Sequence, residues 1–221
     1  MKKFVVAAGL TLAMGASQAE ANLITNGSFE QCVGQACGAA YTTLTGTAGG
    51  TLQLLDGNDW GVYASIPGWT TTNGAGIEIQ RGTVVAAKDG ASYVELDSHG
   101  GATNSTMSQS LMLGVGTYKL SFWYQPRTGS INDNGINVLF GGVQVGANPT
   151  ADGVAPAAWS QYSFLLNVPT AMSYALTFSA VGAQNSLGGF VDDVQLVAVP
   201  EPASLLLLGA ALAGVIARRR Q

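Results

Sequence analysis

The sequence predicts an all-β fold, a single antiparallel β-sandwich flanked by an N-terminal signal peptide and a short C-terminal hydrophobic helix. Three observations carry this. Glycine supplies 30 of 221 residues and charged residues only 10%, against usual shares of about 7% and about 25%. Short apolar runs alternate with clusters of Gly, Asn, Asp and Pro, the spacing of strands and turns. No 3.6-residue period is sustained between the two ends, and no repeat or linker divides that segment.

Taken in order, residues 1–21 have a basic start (Lys2, Lys3), an apolar stretch from Phe4 to Gly15, and Ala19-Glu20-Ala21. A short apolar run ending in Ala-x-Ala is what signal peptidase reads, so cleavage is expected after Ala21 and the chain is expected to be exported. The run is too short to span about 30 Å of hydrocarbon.

Residues 22–198 form the expected sandwich domain. Strand-like segments fall at Thr51–Asp56, Gly76–Gln80, Ser92–Asp97, Thr106–Leu113, Thr117–Gln125, Ile136–Phe140, Trp159–Val168, Ser173–Ala180 and Gly188–Val197. In the fifth, Tyr118, Leu120, Phe122 and Tyr124 share one face and Lys119, Ser121, Trp123 and Gln125 the other. The aromatic face reads as core. Tyr162, Phe164, Leu166 and Val168, with Tyr174, Leu176 and Phe178, continue it.

The formal net charge is −4. Lys2, Lys3, Arg218, Arg219 and Arg220 are terminal, so between Asn22 and Val199 only Arg81, Lys88, Lys119 and Arg127 oppose eleven carboxylates, 4 − 11 = −7. Nucleic acid is excluded as a partner, because its phosphates would be repelled.

Residues 199–221 read Val199-Pro200-Glu201-Pro202-Ala203-Ser204, then 13 residues without a charge from Leu205 to Ala217, then Arg218-Arg219-Arg220-Gln221. The run is shorter than the ~20 residues of a comfortable span, and the arginines are expected to be held on the cytoplasmic side. Pro-Glu-Pro, a short hydrophobic helix and a basic end, in that order, resemble the PEP-CTERM sorting signal of Gram-negative bacteria. The resemblance implies that an exosortase recognises Pro200, Glu201 and Pro202. It also implies transient inner-membrane anchoring, followed by release to the cell surface or the exopolysaccharide matrix.

A second resemblance covers the middle. Asn22-Leu23-Ile24-Thr25-Asn26-Gly27-Ser28-Phe29-Glu30, Ile66-Pro67-Gly68-Trp69, Ser92-Tyr93-Val94-Glu95-Leu96-Asp97, Gly116-Thr117-Tyr118-Lys119-Leu120-Ser121-Phe122 and Phe190-Val191-Asp192-Asp193-Val194-Gln195-Leu196 look like the galactose-binding-like jelly-roll domains of carbohydrate-binding modules. In those modules a structural Ca²⁺ is held near the first and last strands. The resemblance puts it at Glu30 and Asp193, with Asp192 as an alternate and Asn26 as a weaker candidate. Six to eight oxygens at about 2.3–2.6 Å suit that ion; the alternative is that these carboxylates only bond loop amides or face water.

Cys32 and Cys37, the only two cysteines, are expected to form a disulfide in an oxidising compartment. Zinc would need further ligands, and His99 is the only histidine.

For sugar binding, Trp123 stands on the polar face of its strand beside Gln125, while Glu78, Gln80 and Glu95 alternate with apolar residues on theirs and Arg127 lies close by. If those faces line one sheet they make a polar groove with an aromatic floor. Trp60, Tyr63, Trp69 and Trp159 are further stacking candidates. Glu78 and Glu95 also admit a glycosidase pair if their strands are neighbours, but no nucleophile elbow, histidine-metal cluster or phosphate loop accompanies them. The expectation is therefore a non-catalytic, exosortase-processed protein that binds polysaccharide. The alternatives are a biofilm-matrix protein that self-associates with calcium and, behind it, a glycosidase.

Overall fold

The computed structural model describes residues 20–32, 59–82, 84–98, 103–130, 132–149 and 158–200. Residues 1–19 of the expected signal peptide, the strand at Thr51–Asp56, Cys37, His99, Glu201, Pro202 and the hydrophobic tail lie outside them.

After a single 3-10 turn, Glu30–Cys32, the described strands are β1 (Asp59–Tyr63), β2 (Ser65–Ile66), β3 (Trp69–Asn73), β4 (Ile77–Arg81), β5 (Tyr93–Glu95), β6 (Asp97–Ser98), β7 (Thr103–Asn104), β8 (Thr106–Leu113), β9 (Gly116–Gln125), β10 (Gly135–Phe140), β11 (Val143–Gln144), β12 (Ser160–Val168), β13 (Met172–Val181) and β14 (Phe190–Ala198). They form a first sheet of order β1-β4-β5-β14-β9-β12, a second of order β11-β10-β13-β8-β3-β2, and the small pair β6-β7. The pairings are antiparallel throughout. The architecture is an all-β sandwich.

Tyr118, Leu120, Phe122 and Tyr124 are buried as their alternation requires. Phe122 meets Phe178 of β13 edge-on at 5.2 Å, and Trp69 of β3 meets Phe178 at 5.9 Å. The first contact binds one sheet to the other and the second packs within the second sheet, and each side chain so buried contributes about 1.5–3 kcal/mol. β3 was not legible as a strand, because Thr-Thr-Thr has no alternation. Its entry is a Pro67-Gly68 turn, with Gly68 at φ +81° and Ile66 paired to Trp69, the geometry in which glycine follows proline.

The start of the domain is strapped to its last strand. Leu23 N–H donates to Leu196 O, Asn22 Oδ1 accepts from Leu196 N, and Val194 N donates to Gly27 O. Within β14 the register slips between Asp192 and Gln195, and Asp193 takes φ +46°. This bulge turns two consecutive aspartates out of simple alternation.

Candidate functional site

The register places the sugar-binding candidates on one face. On the outer side of the first sheet, one row runs Val62, Glu78, Glu95, Phe190, Gln125 across β1, β4, β5, β14 and β9. The next contains Trp60, Gln80 and Tyr93 on one side and Asp192, Trp123 and Gln161 on the other. Glu78 and Glu95 are directly opposed neighbours.

Most of this face is covered. Glu78, Gln80, Glu95 and Gln125 are 3%, 2%, 0% and 7% exposed. Burial forces their polar atoms to find partners within the protein. Gln80 Nε2 donates to Glu78 Oε1 at 2.8 Å and to Glu95 Oε2, and Gln80 Oε1 accepts from the Tyr93 hydroxyl at 3.0 Å. That hydroxyl accepts the amides of Val84 and Val85. Glu95 Oε2 also accepts from Arg127 Nη1 at 2.6 Å, and Oε1 from the Gly188 amide at 2.6 Å. Arg127 is positioned by Asn134, whose Oδ1 accepts the Arg127 and Thr128 amides and whose Nδ2 donates to the carbonyls of Thr128 and Ser130.

Two carboxylates and one guanidinium therefore share a dry site. Burial, reinforced by the charge of Glu78, holds the Glu95 carboxyl well above the usual range, although Arg127 and the Gly188 amide pull it down. Burial likewise raises the Tyr93 phenol.

The accessible part lies toward β12. Trp123 is half-buried and Gln161, beside it, is exposed. Lys88 Nζ stands 3.8 Å from the centroid of the Trp123 ring, a cation–π contact. Lys88 belongs to the segment before β5, 35 residues from Trp123, so no local pattern joins them. Trp159 donates Nε1–H to Ala86 O at 2.9 Å and meets Tyr93 edge-on at 5.9 Å. Trp69 is core, 1% exposed, and donates to Asn26 O.

Two of the metal candidates, Glu30 and Asp192, converge on the segment 88–92. Glu30 Oε1 accepts the amides of Ala91 and Ser92 at 2.8 and 2.6 Å. Asp192 Oδ2 accepts those of Lys88 and Asp89 at 2.8 and 2.9 Å, and Oδ1 that of Asp193. Asp192 is fully buried, and desolvation, only partly offset by these amides, pushes its carboxyl up to about 7. Asp193 Oδ1 accepts from Gln195, whereas Asn26 spends its side chain on the Gln31 amide and Pro67 carbonyl. Cys32 closes the turn that begins at Glu30, and its expected partner lies outside the described residues.

A second concavity, about 520 Å³, opens at the sandwich edge between β12 and β10-β11, lined among others by Phe140, Val145, Phe164, Leu166, Asn167 and Tyr174. Phe140 and Tyr174 stack there at 5.1 Å. A third, about 440 Å³, lies at the end of the sandwich and includes Val115, Tyr118, Pro169, Val199 and Pro200.

Residues 198–221 match the family described as the PEP-CTERM protein-sorting motif, which indicates export and sorting to the cell surface. No curated protein matches the chain. Among solved structures it is similar to the Stig cyclase Fisc from Fischerella sp. TAU in complex with (3Z)-3-(1-methyl-2-pyrrolidinylidene)-3H-indole. Identity is 16% over 84% of this chain and 100% of that one, with a TM-score of 0.51. It is also similar to TmCBM61 in complex with beta-1,4-galactotriose (17% identity, 81% and 99% covered, TM-score 0.45) and to CBM35 from Paenibacillus barcinonensis (19%, 60% and 94%, 0.40). At 16% identity the likeness to the cyclase shows the fold alone. A fold by itself selects neither binding nor catalysis.

Proposed function

We propose that the sandwich is a non-catalytic, polysaccharide-binding domain of a cell-surface protein, with Trp123 as the platform for a sugar ring. The observation that carries this reading is the half-exposed Trp123 ring beside the exposed amide of Gln161. An aromatic plane suits the C–H face of a pyranose, and a neighbouring amide can read its hydroxyls. Lys88, exposed, stands over the face of that ring and moves aside when a sugar stacks on it. Glu78, Gln80, Glu95 and Arg127 act underneath as the brace that fixes the sheet. Both carboxylates are sealed from solvent and Glu95 has each oxygen engaged, which supports a scaffold over a glycosidase pair.

A structural Ca²⁺ is part of the same proposal, with loop carbonyls supplying most of its oxygens, since no three acidic, histidine or cysteine side chains gather among the described residues. Glu30 and Asp192 approach one short segment from the first turn and the last strand, and a buried carboxylate at Asp192 lacks a neutralising cation among the described residues. Glu30 and Asp193 would supply oxygens to the ion, and its charge would hold Asp192 ionised. The tail would anchor the protein briefly in the inner membrane of a Gram-negative cell until an exosortase passes it to the exopolysaccharide matrix.

The test is binding of the full chain, after signal removal, to a panel of immobilised neutral and acidic glycans. Trp123→Ala is expected to weaken binding by about 2 kcal/mol, roughly thirtyfold in Kd, with an unchanged melting temperature. Binding to no glycan, or binding indifferent to Trp123→Ala, would overturn the assignment. Calcium-dependent oligomers without glycan binding would favour the self-associating matrix protein instead.

A further inference from the structure

The end of the sandwich from which the chain departs has a composition unlike the rest. It is built from the end of β8 and start of β9, the end of β12 and start of β13, and the end of β14. The segments 110–119, 165–175 and 196–200 contain no carboxylate and a single cation, Lys119. Glu95, Asp97, Asp133 and Arg127 gather at the opposite end, around the 127–134 and 185–188 turns. Large apolar side chains nevertheless face outward at the exit: Met112 is 80%, Val115 69%, Met172 50% and Val199 38% exposed. The exit itself is fixed, because Val199 N–H donates to Thr117 O at 2.8 Å.

We infer that this end is a bilayer-docking surface, on which Met112, Val115, Met172 and Val199 enter the lipid interface and Lys119 reaches the phosphates. The inference rests on reading the tail as membrane-inserted. From Pro200 to Leu205 the chain spans at most about 17 Å, so an inserted tail holds this end against the bilayer. A helix of the 13 residues Leu205–Ala217 is about 20 Å long, against about 30 Å of hydrocarbon. The shortfall is met by thinning the bilayer or by drawing flanking residues toward it, and beyond Glu201-Pro202-Ala203-Ser204 the chain on this side continues into Pro200 and Val199. An acidic domain would be repelled by anionic headgroups; presenting an end whose described segments carry no carboxylate lessens that.

The experiment uses the full chain, after signal removal, reconstituted into vesicles of phosphatidylethanolamine and phosphatidylglycerol. Vesicle flotation reads tail insertion, and amide hydrogen exchange reads docking. Exchange at residues 113–117 and 170–173 is expected to be about tenfold slower in the native chain than in the double variant Met112→Glu/Val115→Glu, at every protein-to-lipid ratio. Both proteins are expected to float and to melt alike, because the substituted side chains are exposed. Flotation with equal exchange in both would overturn docking and leave the tail reading intact. Protection that vanishes on dilution in lipid would overturn it in favour of a second copy. Failure to float, with protection of residues 143–146 and 164–167, would overturn both readings and place the tail in the apolar edge cavity.

Discussion

Replacing Arg127 by Met removes the one guanidinium in contact with Glu95 and leaves a methylene stem of similar length. Glu95 is fully buried, Glu78 opposes it across the strands, and the Arg127–Glu95 contact is 2.6 Å. Breaking such a pair on one side costs about 3–5 kcal/mol, mostly from the charge left behind. The cost must depend on pH. The folded-state carboxyl of Glu95 already lies well above the ordinary glutamate value of 4.5, so its favourable contribution is complete below that pH and is lost as pH rises toward the folded value. Without Arg127 the folded value climbs further, and the loss extends to higher pH. Urea unfolding should therefore show a deficit of about 1 kcal/mol in acid solution, where a neutral carboxyl has lost only hydrogen bonds, and a larger one at pH 8, up to about 3–5 kcal/mol. Glu95→Gln in the Arg127→Met background should recover about 2 kcal/mol at pH 8 and remove the pH dependence, since the Gln amide oxygen can still accept from Gly188 N–H. An equal deficit at both pH values, or no recovery in the double variant, would refute the claim that Arg127 acts by compensating a buried charge.

Asp192 gives a second titration. Its carboxyl moves from 3.8 to about 7 on folding, so in EDTA the folded state should lose up to about 4 kcal/mol between those pH values as the proton leaves. Asp192→Asn should flatten that part of the profile, and saturating Ca²⁺ should do so in the native chain while raising the melting temperature; identical melting curves with EDTA and Ca²⁺ would remove calcium. A Cβ at Gly27 would overlap the Val194 carbonyl oxygen, so Gly27→Ala should cost about 1–3 kcal/mol in unfolding experiments and speed hydrogen exchange at Leu23 and Val194 before the rest.

The eight strand predictions that fall on described residues are there because their alternation is strong, as in Tyr118-Lys119-Leu120-Ser121-Phe122. β1 and β3 escaped, since Asp-Trp-Gly-Val-Tyr carries a central glycine and Trp-Thr-Thr-Thr-Asn is polar almost throughout. The shared face of Glu78, Gln80, Glu95 and Trp123 was legible because period two assigns sides. What covers a side is not periodic. The amides of Val84 and Val85 on Tyr93, of Gly188 on Glu95, and the ammonium of Lys88 on Trp123 are supplied by loops, whose paths depend on contacts distant in sequence. Asn134, which aims Arg127, is separated from it by seven residues, yet it looked like one more turn asparagine.

β14 sits between β5 and β9 in the first sheet and also receives residues 22–27. The strand on which both the sheet and the opening segment depend is thus among the last parts of the domain to leave the ribosome. Until it is made, neither half of the first sheet can join the other. Completion of the sheet is deferred by topology to the moment just before the sorting motif itself is synthesised.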